Sequence, residues 1–316
     1  MYITEGWLST MPNHRYEPQG IDPQRLGIQR IPRVLIVYKK SSYEAHVLDE
    51  KDENYLRLMR ERNVVIRKSK SSHDIHIETL ETIKGHLRTL RIPFDFRLRY
   101  HLRPLKNYDL VLTIGGDGTF LETSHYIENG LLMGINSVPQ ESVGFFCKTT
   151  ADTFLEKMFL FIEGKAPIKL LQRLEIAINN QIVFPLALND TLFANQNPAG
   201  TTRYLLRIRG VQEEQKSSGL WLSPAPGSTA ATKSAGGKKL PLTSQKIQYV
   251  TREPYAPPEK RYKLLKGILN PRESIQFVST MDDGIIYIDG PHHAYPIQRG
   301  TTVKARHAQK PIGAIW

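Results

Sequence analysis

The amino-acid sequence predicts two domains, an α/β domain followed by an all-β sandwich. Between residues 33 and 137, short apolar runs alternate with a helical pattern, which indicates a mostly parallel sheet with helices packed on it. From residue 174 onward, many short strand-like segments are separated by turn clusters, and this texture is typical of a β-sandwich. The length of 316 residues agrees with two domains, because a single domain usually has about 100–200 residues.

The elements of the first domain follow from the spacing of its apolar residues. Four segments are predicted to be strands. The segments 34–38 and 110–114 are apolar and rich in β-branched residues, as buried strands are, 94–98 alternates between apolar and charged residues, and 131–135 is a further apolar run. Residues 72–90 carry apolar side chains at close to helical spacing, and Ser72 and Asp74 are candidate caps for that helix.

The second half of the chain has a different pattern. A helix is predicted over 151–162, and seven later segments are predicted to be strands: 174–178, 184–193, 204–209, 220–222, 246–250, 274–279 and 285–288. We therefore expect four parts: an N-terminal arm over 1–32, an α/β domain over 33–140, a β-sandwich over 141–295, and a C-terminal segment over 296–316 that returns to the α/β domain.

Composition limits the possible classes of protein. No stretch of about 18 uncharged apolar residues occurs, so we expect no membrane-spanning helix, and the first 33 residues lack the apolar core of a secretory signal. The lone cysteine, Cys147, excludes a disulfide framework and suits a buried position in a cytoplasmic protein. The net charge of +12 favours polyanions in general. No nucleic-acid recognition motif accompanies this charge, so we do not expect nucleic acid as a partner. Because no membrane-spanning stretch occurs, we do not expect a membrane as a partner either.

The sharpest feature is the run Gly115-Gly116-Asp117-Gly118-Thr119, which follows a predicted buried strand and precedes a helix-like segment over 120–127. Loops at the carboxyl end of a parallel strand bind ligands in open α/β sheets. The backbone N–H groups of Gly116, Gly118 and Thr119 can approach phosphate oxygens, and a helix N-terminus adds partial positive charge. Asp117 could accept a proton from an attacking hydroxyl or hold a magnesium ion. The alternative is a plain turn with a locally bonded aspartate.

A second motif spans residues 223–237, Ser-Pro-Ala-Pro-Gly-Ser-Thr-Ala-Ala-Thr-Lys-Ser-Ala-Gly-Gly. Its small residues allow close approach to a flat ligand. Its polar groups include the hydroxyls of Ser228, Thr229 and Ser234 and the ammonium of Lys233. The alternative is a polar linker, which the strand-like segments on either side disfavour.

Together the two motifs resemble the NAD kinase family. NAD kinases share the Gly-Gly-Asp-Gly-Thr signature with diacylglycerol and sphingosine kinases and with phosphofructokinases, whereas the motif at 223–237 is similar to one that the lipid kinases lack. The resemblance extends in pieces from about residue 33 to residue 300. It implies a Rossmann-like, phosphofructokinase-type first domain. It also implies transfer of the terminal phosphate of ATP to the adenosine ribose 2′-hydroxyl of NAD, which makes NADP, with Asp117 as the base.

Further segments agree with this resemblance. Asn189-Asp190 resembles the Asn-Glu pair of the family that grips the ribose hydroxyls, although Asp is one methylene shorter than Glu. Residues 134–136 and 143–146 resemble the crossover into the second domain, and 289–290 matches a late Asp-Gly turn. Besides Asn189 and Asp190, the nucleotide-binding residues expected in the second domain are Lys216, Ser218, Thr229, Ala230 and Ser234. Lys216 and Lys233 are also candidates for phosphate contacts.

Two positions depart from the typical family pattern. Ser218 stands where an aspartate normally contacts the nicotinamide end, and Ala231 stands where a tyrosine normally packs on a base. These changes imply a remodelled pocket, or NADH as the acceptor in place of NAD. The long spacing between Asn136 and Gly144 resembles the divergent, mitochondrial-type branch and its bacterial relatives.

The resemblance also implies ligands and partners. We expect ATP or another phosphoryl donor such as polyphosphate, Mg²⁺ or another divalent cation, and a homodimer or homotetramer; no residue is assigned as a metal ligand. Two alternative functions are a lipid or sphingoid kinase of the same fold, and a catalytically weak sensor that binds NAD(P).

Overall fold

The structure, a computed structural model, describes residues 31–127, 130–183 and 185–316. The arm predicted for residues 1–32 lies outside this description, apart from its last two residues. The chain forms two compact units, one ending at Ile168 and completed by Gly313–Trp316, and one spanning Lys169–Ile312. Within the described residues, no helix is both long and apolar enough to cross a membrane.

The first unit is an α/β domain. Its helices are α1 (Glu53–Arg60), α2 (Val64–Thr89), α3 (Asp117–Ser124) and α4 (Phe154–Ile162). Its sheet contains β1 (Val34–Tyr38), β2 (Phe94–Leu98), β3 (Leu110–Gly115), β4 (Leu131–Asn136), β5 (Ile168–Leu171), which begins at the last residue of this unit, and β18 (Ile312–Ile315). The strand order is β2-β1-β3-β4-β18-β5, and the pairs from β2 through β18 are parallel.

Burial of the central strands explains why this sheet forms. Every residue of β1 and β3 is buried, as expected for strands covered on both faces. The core cluster joins Ile36 and Leu112 of the strands to Leu80 of α2 and Phe154 of α4. The predicted α/β domain is confirmed.

Helix α2 begins earlier than the sequence predicted. Asn63 caps it by accepting the N–H of Val65 on Oδ1 at 3.0 Å, whereas Ser72 lies inside the helix and donates its hydroxyl to the carbonyl of Lys68. The prediction of a start near Ser72 was wrong because residues 67–74 are mostly polar and carry no apolar period.

The second unit is a β-sandwich with one short helix, α5 (Ala231–Ser234). Its strands are β6 (Leu174–Ile178), β7 (Gln181–Ile182), β8 (Thr191–Asn195), β9 (Thr202–Ile208), β10 (Val211–Ser217), β11 (Gly219–Pro224), β12 (Ile247–Arg252), β13 (Lys266–Leu269), β14 (Ser274–Ser279), β15 (Gly284–Ile288), β16 (His293–Ile297) and β17 (Thr302–His307). The two sheets have the orders β10-β9-β14-β17-β6-β7 and β13-β12-β11-β8-β15-β16.

The inner faces of the two sheets share one core. Tyr204 of β9 and Phe277 of β14 in the first sheet pack against Phe193 of β8 in the second, with Phe193 and Phe277 ring centroids 4.4 Å apart. Alternate residues of β9 and β14 are buried, which is the pattern of strands with one face in the core. The predicted β-sandwich is confirmed.

The boundaries between the parts differ from those predicted. The structure divides the chain after Ile168 rather than after residue 140, because α4 packs on the parallel sheet through Phe154 and Met158. The predicted C-terminal segment over 296–316 is mostly sandwich, since β17 pairs with β14 and β6, and only β18 joins the sheet of the first unit.

Candidate active site

The glycine-rich run lies between β3 and α3, at the carboxyl end of a central parallel strand. Gly115 has φ +156°, and a Cβ there would lie 2.6 Å from the Thr119 hydroxyl, so this position needs glycine. The N–H of Thr119 donates to the carbonyl of Gly116 at 2.9 Å and therefore serves the turn itself. Gly118 is exposed at the start of the helix. Helix α3 begins at Asp117, three residues earlier than the helix-like segment predicted over 120–127.

Asp117 is oriented by the backbone of a second loop. Its Oδ2 accepts the N–H of Phe145 at 2.8 Å, and its Oδ1 accepts the N–H of Phe146 at 2.7 Å. Burial raises the pKa of the Cys147 thiol, and the nearby Asp117 carboxylate raises it further, so this thiol stays protonated. The thiol also forms a side-chain hydrogen bond to the Asp117 carboxylate. Two amides and one thiol therefore take three of the four lone-pair positions of this carboxylate and leave one.

Asn136 and Gly144 hold that second loop in place. The Asn136 side chain donates to the carbonyl of Ser142 at 3.3 Å, and Asn136 Oδ1 accepts the N–H of Val138 at 3.2 Å. Gly144 has φ +57°, and a Cβ there would overlap the Asn136 amide. Sequence reasoning identified these residues as a crossover by resemblance but missed that the loop supplies both donors to Asp117.

In the second unit, Asn189 and Asp190 belong to a loop rather than to the predicted strand over 184–193. Phe184 lies outside the described residues, and β8 begins only at Thr191. Asp289 prevents strand pairing here because its carboxylate accepts three consecutive backbone N–H groups. Its Oδ2 accepts that of Leu188 at 2.7 Å, and its Oδ1 accepts those of Asn189 and Asp190 at 2.8 and 2.9 Å.

The environment of Asp190 changes its chemistry. Its side chain is buried, and its Oδ2 accepts the Asn189 side-chain amide at 2.9 Å. Burial raises the pKa of Asp190 to about 7, and the neighbouring negative charge of Asp289 contributes to the shift. Asp190 can therefore change protonation state near neutral pH.

The motif over 223–237 packs against this loop. A Cβ on Gly227 would overlap the carbonyl of Asn189, so only glycine allows this approach. Ser228 is fully buried, and its hydroxyl donates to the carbonyl of Ala225 at 2.7 Å and accepts the N–H of Leu240 at 2.9 Å. Its hydroxyl therefore stabilises the fold.

The remaining predicted residues of this motif differ in their surroundings. Thr229 and Ala230 follow Ser228 and are half-buried. Lys233 and Ser234 lie on the exposed face of α5.

Lys216 and Ser218 lie at the end of β10 and just after it. The Lys216 N–H donates to the Tyr262 hydroxyl at 3.2 Å, and the Ser218 N–H donates to the carbonyl of Arg252 at 3.0 Å. Within the described part of the chain, no hydrogen bond joins Lys216 or Ser218 to Asn189 or Asp190. The structure thus brings Gly227 to Asn189, but it links neither Lys216 nor Ser218 to that pair.

Known proteins resemble this chain over most of its length. No family model matches it. It is 31% identical over 253 residues to a probable NADH kinase from Oryza sativa subsp. japonica. The aligned region covers 73% of this chain and 78% of the rice protein.

Two solved structures share its fold. One is an NAD kinase from Archaeoglobus fulgidus in complex with ATP, with a TM-score of 0.64 at 18% identity. The match covers 90% of this chain and 93% of the Archaeoglobus chain. The other is the yeast NADH kinase complexed with NADH, with a TM-score of 0.67 at 16% identity. The match covers 91% of this chain and 84% of the yeast chain.

The chain is a phosphotransferase that uses an alcohol group as acceptor. This class follows from the fold, from the glycine-rich loop with its oriented carboxylate, and from these relatives. The chain belongs to the NAD kinase and NADH kinase family. These relatives give no support to the alternative of a lipid or sphingoid kinase.

Proposed function

We propose that this protein transfers the terminal phosphate of ATP to the 2′-hydroxyl of the adenosine ribose of NAD or NADH. The observation that carries the proposal is Asp117, whose two carboxylate oxygens are oriented by two backbone amides within a glycine-rich loop. Such a loop at a helix N-terminus suits phosphate, and an oriented carboxylate suits an acceptor hydroxyl. Family membership and the kinase relatives support the same reaction.

Asp117 is the general base in this proposal. The hydrogen bonds from Phe145, Phe146 and the Cys147 thiol fix the orientation of the carboxylate and leave one acceptor position. This position takes the proton of the 2′-hydroxyl as its oxygen attacks the terminal phosphorus. The backbone around Gly116 and Gly118 holds donor phosphates. Phosphoryl transfer depends mainly on such positioning and on charge stabilisation.

Asn189 and Asp190 bind the adenosine ribose. An aspartate is shorter than the glutamate of the typical family, and the Asp289 anchor fixes the backbone from which it projects. We infer that the ionised Asp190 accepts a ribose hydroxyl. Thr229, Ala230 and Ser234 are proposed to line the same nucleotide site, with Lys216, Ser218 and Lys233 as more distant contacts.

The acceptor includes NADH. Ser218 and Ala231 replace an aspartate and a tyrosine of the typical family, which removes a charge and an aromatic contact at the nicotinamide and base ends. The rice relative is a probable NADH kinase. The yeast structure is that of an NADH kinase complexed with NADH. We expect turnover with NADH to equal or exceed that with NAD, and a strong preference for NAD would contradict this part of the proposal.

The loop fits a magnesium ion that arrives with the donor. Mg²⁺ in proteins is commonly held by one or two carboxylates together with substrate phosphates, and the donor phosphates in this loop would supply the phosphate oxygens. When bound, the metal neutralises charge between the donor phosphates. Because Asp117 acts as the base in this proposal, we assign no protein ligand to the metal.

The test is formation of NADP or NADPH by the purified protein with ATP and Mg²⁺, alongside the Asp117→Asn variant. A general base contributes about 10²–10⁴-fold, so the variant should lose that much turnover while keeping the fold. The control is Asp152→Asn, which changes an exposed aspartate of the same unit. A folded Asp117→Asn protein with most of its activity would exclude Asp117 as the base.

A second candidate, an NAD(P) sensor with weak catalysis, is favoured by the same replacements at Ser218 and Ala231. Calorimetry separates the two. Tight NAD binding without turnover would favour the sensor, and absence of both binding and turnover would contradict both functions.

We also propose that the protein forms a homodimer or homotetramer through its second unit and acts in the cytoplasm. The family resemblance supports the assembly, and the buried free thiol of Cys147 suits a reducing compartment. Light scattering on the purified full chain should give a multiple of 36.1 kDa. A monomer at micromolar concentration would contradict the assembly.

A further inference from the structure

Two cations flank the glycine-rich loop at the edge of the parallel sheet. Lys39 follows β1, and its Cγ lies 3.5 Å from the place of a Cβ on Gly115. Arg99 follows β2, and its Nη1 lies 3.7 Å from the place of a Cβ on Gly118. Sequence reasoning did not select either residue as part of a site.

The sheet register explains why they meet. Tyr38 of β1 pairs with Leu98 of β2 on one side and with Ile114 of β3 on the other. The next residues along the three strands are Lys39, Arg99 and Gly115. Both cations and the start of the loop therefore lie at the carboxyl ends of three neighbouring strands. This placement depends on regular strand pairing and is therefore well determined by the fold.

Lys39 and Arg99 lack a carboxylate partner among the described residues. Both side chains are half-buried. Arg99 donates from Nη2 to the Tyr100 hydroxyl at 2.7 Å and lies 4.7 Å from the centre of that ring. Burial lowers the pKa of Lys39, and the positive charge of Arg99 lowers it further. Two like charges kept together in partial burial oppose folding unless an anion joins them.

Lys39, which lies beside Gly115, also lines a cavity of the first unit. Its volume is about 370 Å³, and Lys39 lines it together with hydroxyl-bearing and charged residues: Ser41, Ser42, Lys68, Ser69, Ser72, Ser137 and Glu141. The Glu141 carboxylate is engaged with the Ser72 hydroxyl at 2.5 Å. An elongated polyanion can therefore extend from the loop into this cavity, with Lys39 at the junction.

We infer that Lys39 and Arg99 form a clamp on the phosphates of the donor, which deepens and rests on the proposed kinase function. Lys39 binds the phosphate chain where it enters the cavity, as a point charge. Arg99 binds the transferred phosphoryl group beside Gly118, where its planar fork suits two phosphate oxygens. In the transfer, the ribose 2′-oxygen bonds to the terminal phosphorus, the bond from that phosphorus to the bridging oxygen breaks, ADP leaves, and Asp117 keeps the hydroxyl proton.

The Lys39→Met variant tests the first half of the clamp. We expect its KM for ATP to rise by about tenfold or more, because a charge-assisted phosphate bond is lost, while its KM for NAD stays within about twofold. Calorimetry with inorganic tripolyphosphate should show a similar loss of affinity without any turnover. Because a repulsive charge is removed, the melting temperature should equal or exceed that of the wild type. Lys39→Arg should recover most of the affinity.

The control for charge alone is Lys165→Met, an exposed lysine of the same unit paired with Glu163. It should bind tripolyphosphate as the wild type does. If Lys39→Met also binds tripolyphosphate normally, or if it melts markedly lower and Lys39→Arg recovers stability without affinity, the clamp is wrong and Lys39 is structural.

Arg99 is tested through turnover. Arg99→Met should reduce kcat by about 10²-fold with little change in KM for NAD, because the positive charge stabilises the phosphoryl group in the transition state of the transfer. Arg99→Lys keeps the charge but loses the fork, so it should recover only part of the rate. Unchanged kcat in Arg99→Met would overturn its role. Wild-type protein without NADP or NADPH formation would instead refute the proposed function, whereas an active wild type with unaffected variants refutes only the clamp.

Discussion

Asp289 Oδ1 accepts the backbone N–H of Asn189 at 2.8 Å, although 100 residues separate them in the chain. The Asp289 N–H in turn donates to the carbonyl of Asp190 at 2.9 Å, so the two segments are bonded in both directions. The proposed ribose-binding pair is therefore positioned by the Asp-Gly turn between β15 and β16. We assign no ligand contact to this turn itself.

Asp289→Asn should weaken both the fold and NAD binding. An amide offers one acceptor oxygen where the carboxylate offers two, so at least one buried N–H of residues 188–190 loses its partner, which costs about 1–3 kcal/mol. We expect a lower urea midpoint and a raised KM for NAD, with KM for ATP unchanged. Asp283→Asn, at an exposed position before β15, is the control. Equal stability of Asp289→Asn and the wild type would show that the anchor is dispensable.

Gly227→Ala should displace the loop that carries Asn189. The added methyl group would overlap the Asn189 carbonyl, and backbone cannot move aside as a flexible side chain does. We expect NADP formation to fall at least about tenfold and stability to fall by about 1–3 kcal/mol.

A matched control is Gly85→Ala within α2, where an added Cβ meets nothing within 4 Å. It should raise stability by about 0.5–1 kcal/mol, since alanine favours a helix interior. If both variants behave alike, Gly227 has no special packing role.

Asp190 should give the protein a pH-dependent stability. Its pKa is raised to about 7 in the folded state by burial and by Asp289, while the unfolded value stays near 3.8. Between these two values the folded state holds a proton that the unfolded state releases. The contribution therefore favours folding below about pH 4 and is lost as pH rises to about 7, a change on the order of 4 kcal/mol. The difference in urea midpoint between the wild type and Asp190→Asn, followed from pH 4.5 to 8, isolates this contribution.

The same titration should appear in substrate binding. If the ionised Asp190 accepts a ribose hydroxyl, the KM for NAD falls as pH rises through about 7, and Asp190→Asn removes that dependence. A KM profile that is flat in the wild type would place the ribose elsewhere.

Much of the fold was predictable because the relevant forces are local. The segments at 34–38 and 110–114 are apolar throughout, and strands buried on both faces carry that pattern. The glycine-rich loop was predictable for a similar reason, since one strand, its glycines and the next helix are contiguous. The start of α2 was not, because the polar residues 67–74 separate its first turn at Asn63 from the part with an apolar period.

The parts of the site that were missed depend on distant pairing. Lys39 and Arg99 meet only because β1 lies between β2 and β3 in a fixed register, and nothing in the spacing of the two residues predicts this. The Asp289 turn was recognised by resemblance, but its bonds to Leu188 and Asn189 join segments 100 residues apart. Local sequence patterns cannot specify such contacts.

His76 connects the fold of the first unit to Lys39. Its Nε2 lies 2.9 Å from the carbonyl of Lys39, which can only accept, so Nε2 carries the proton and Nδ1 accepts the hydroxyl of Ser137 at 2.8 Å. Burial lowers the pKa of His76 to about 4 from an ordinary 6.5. The folded state therefore resists protonation that the unfolded state accepts.

The stability that the neutral imidazole contributes is present above about pH 6.5 and is lost as pH falls toward 4, on the order of 3 kcal/mol. In His76→Gln, unfolding should lose this dependence between pH 4 and 6.5. Because the Lys39 backbone loses its anchor, the KM for ATP should rise while that for NAD is unchanged. His101→Gln, at an exposed histidine after β2, is the control. A wild-type and a His76→Gln protein with parallel pH profiles would show that this imidazole titrates as it does in the unfolded chain.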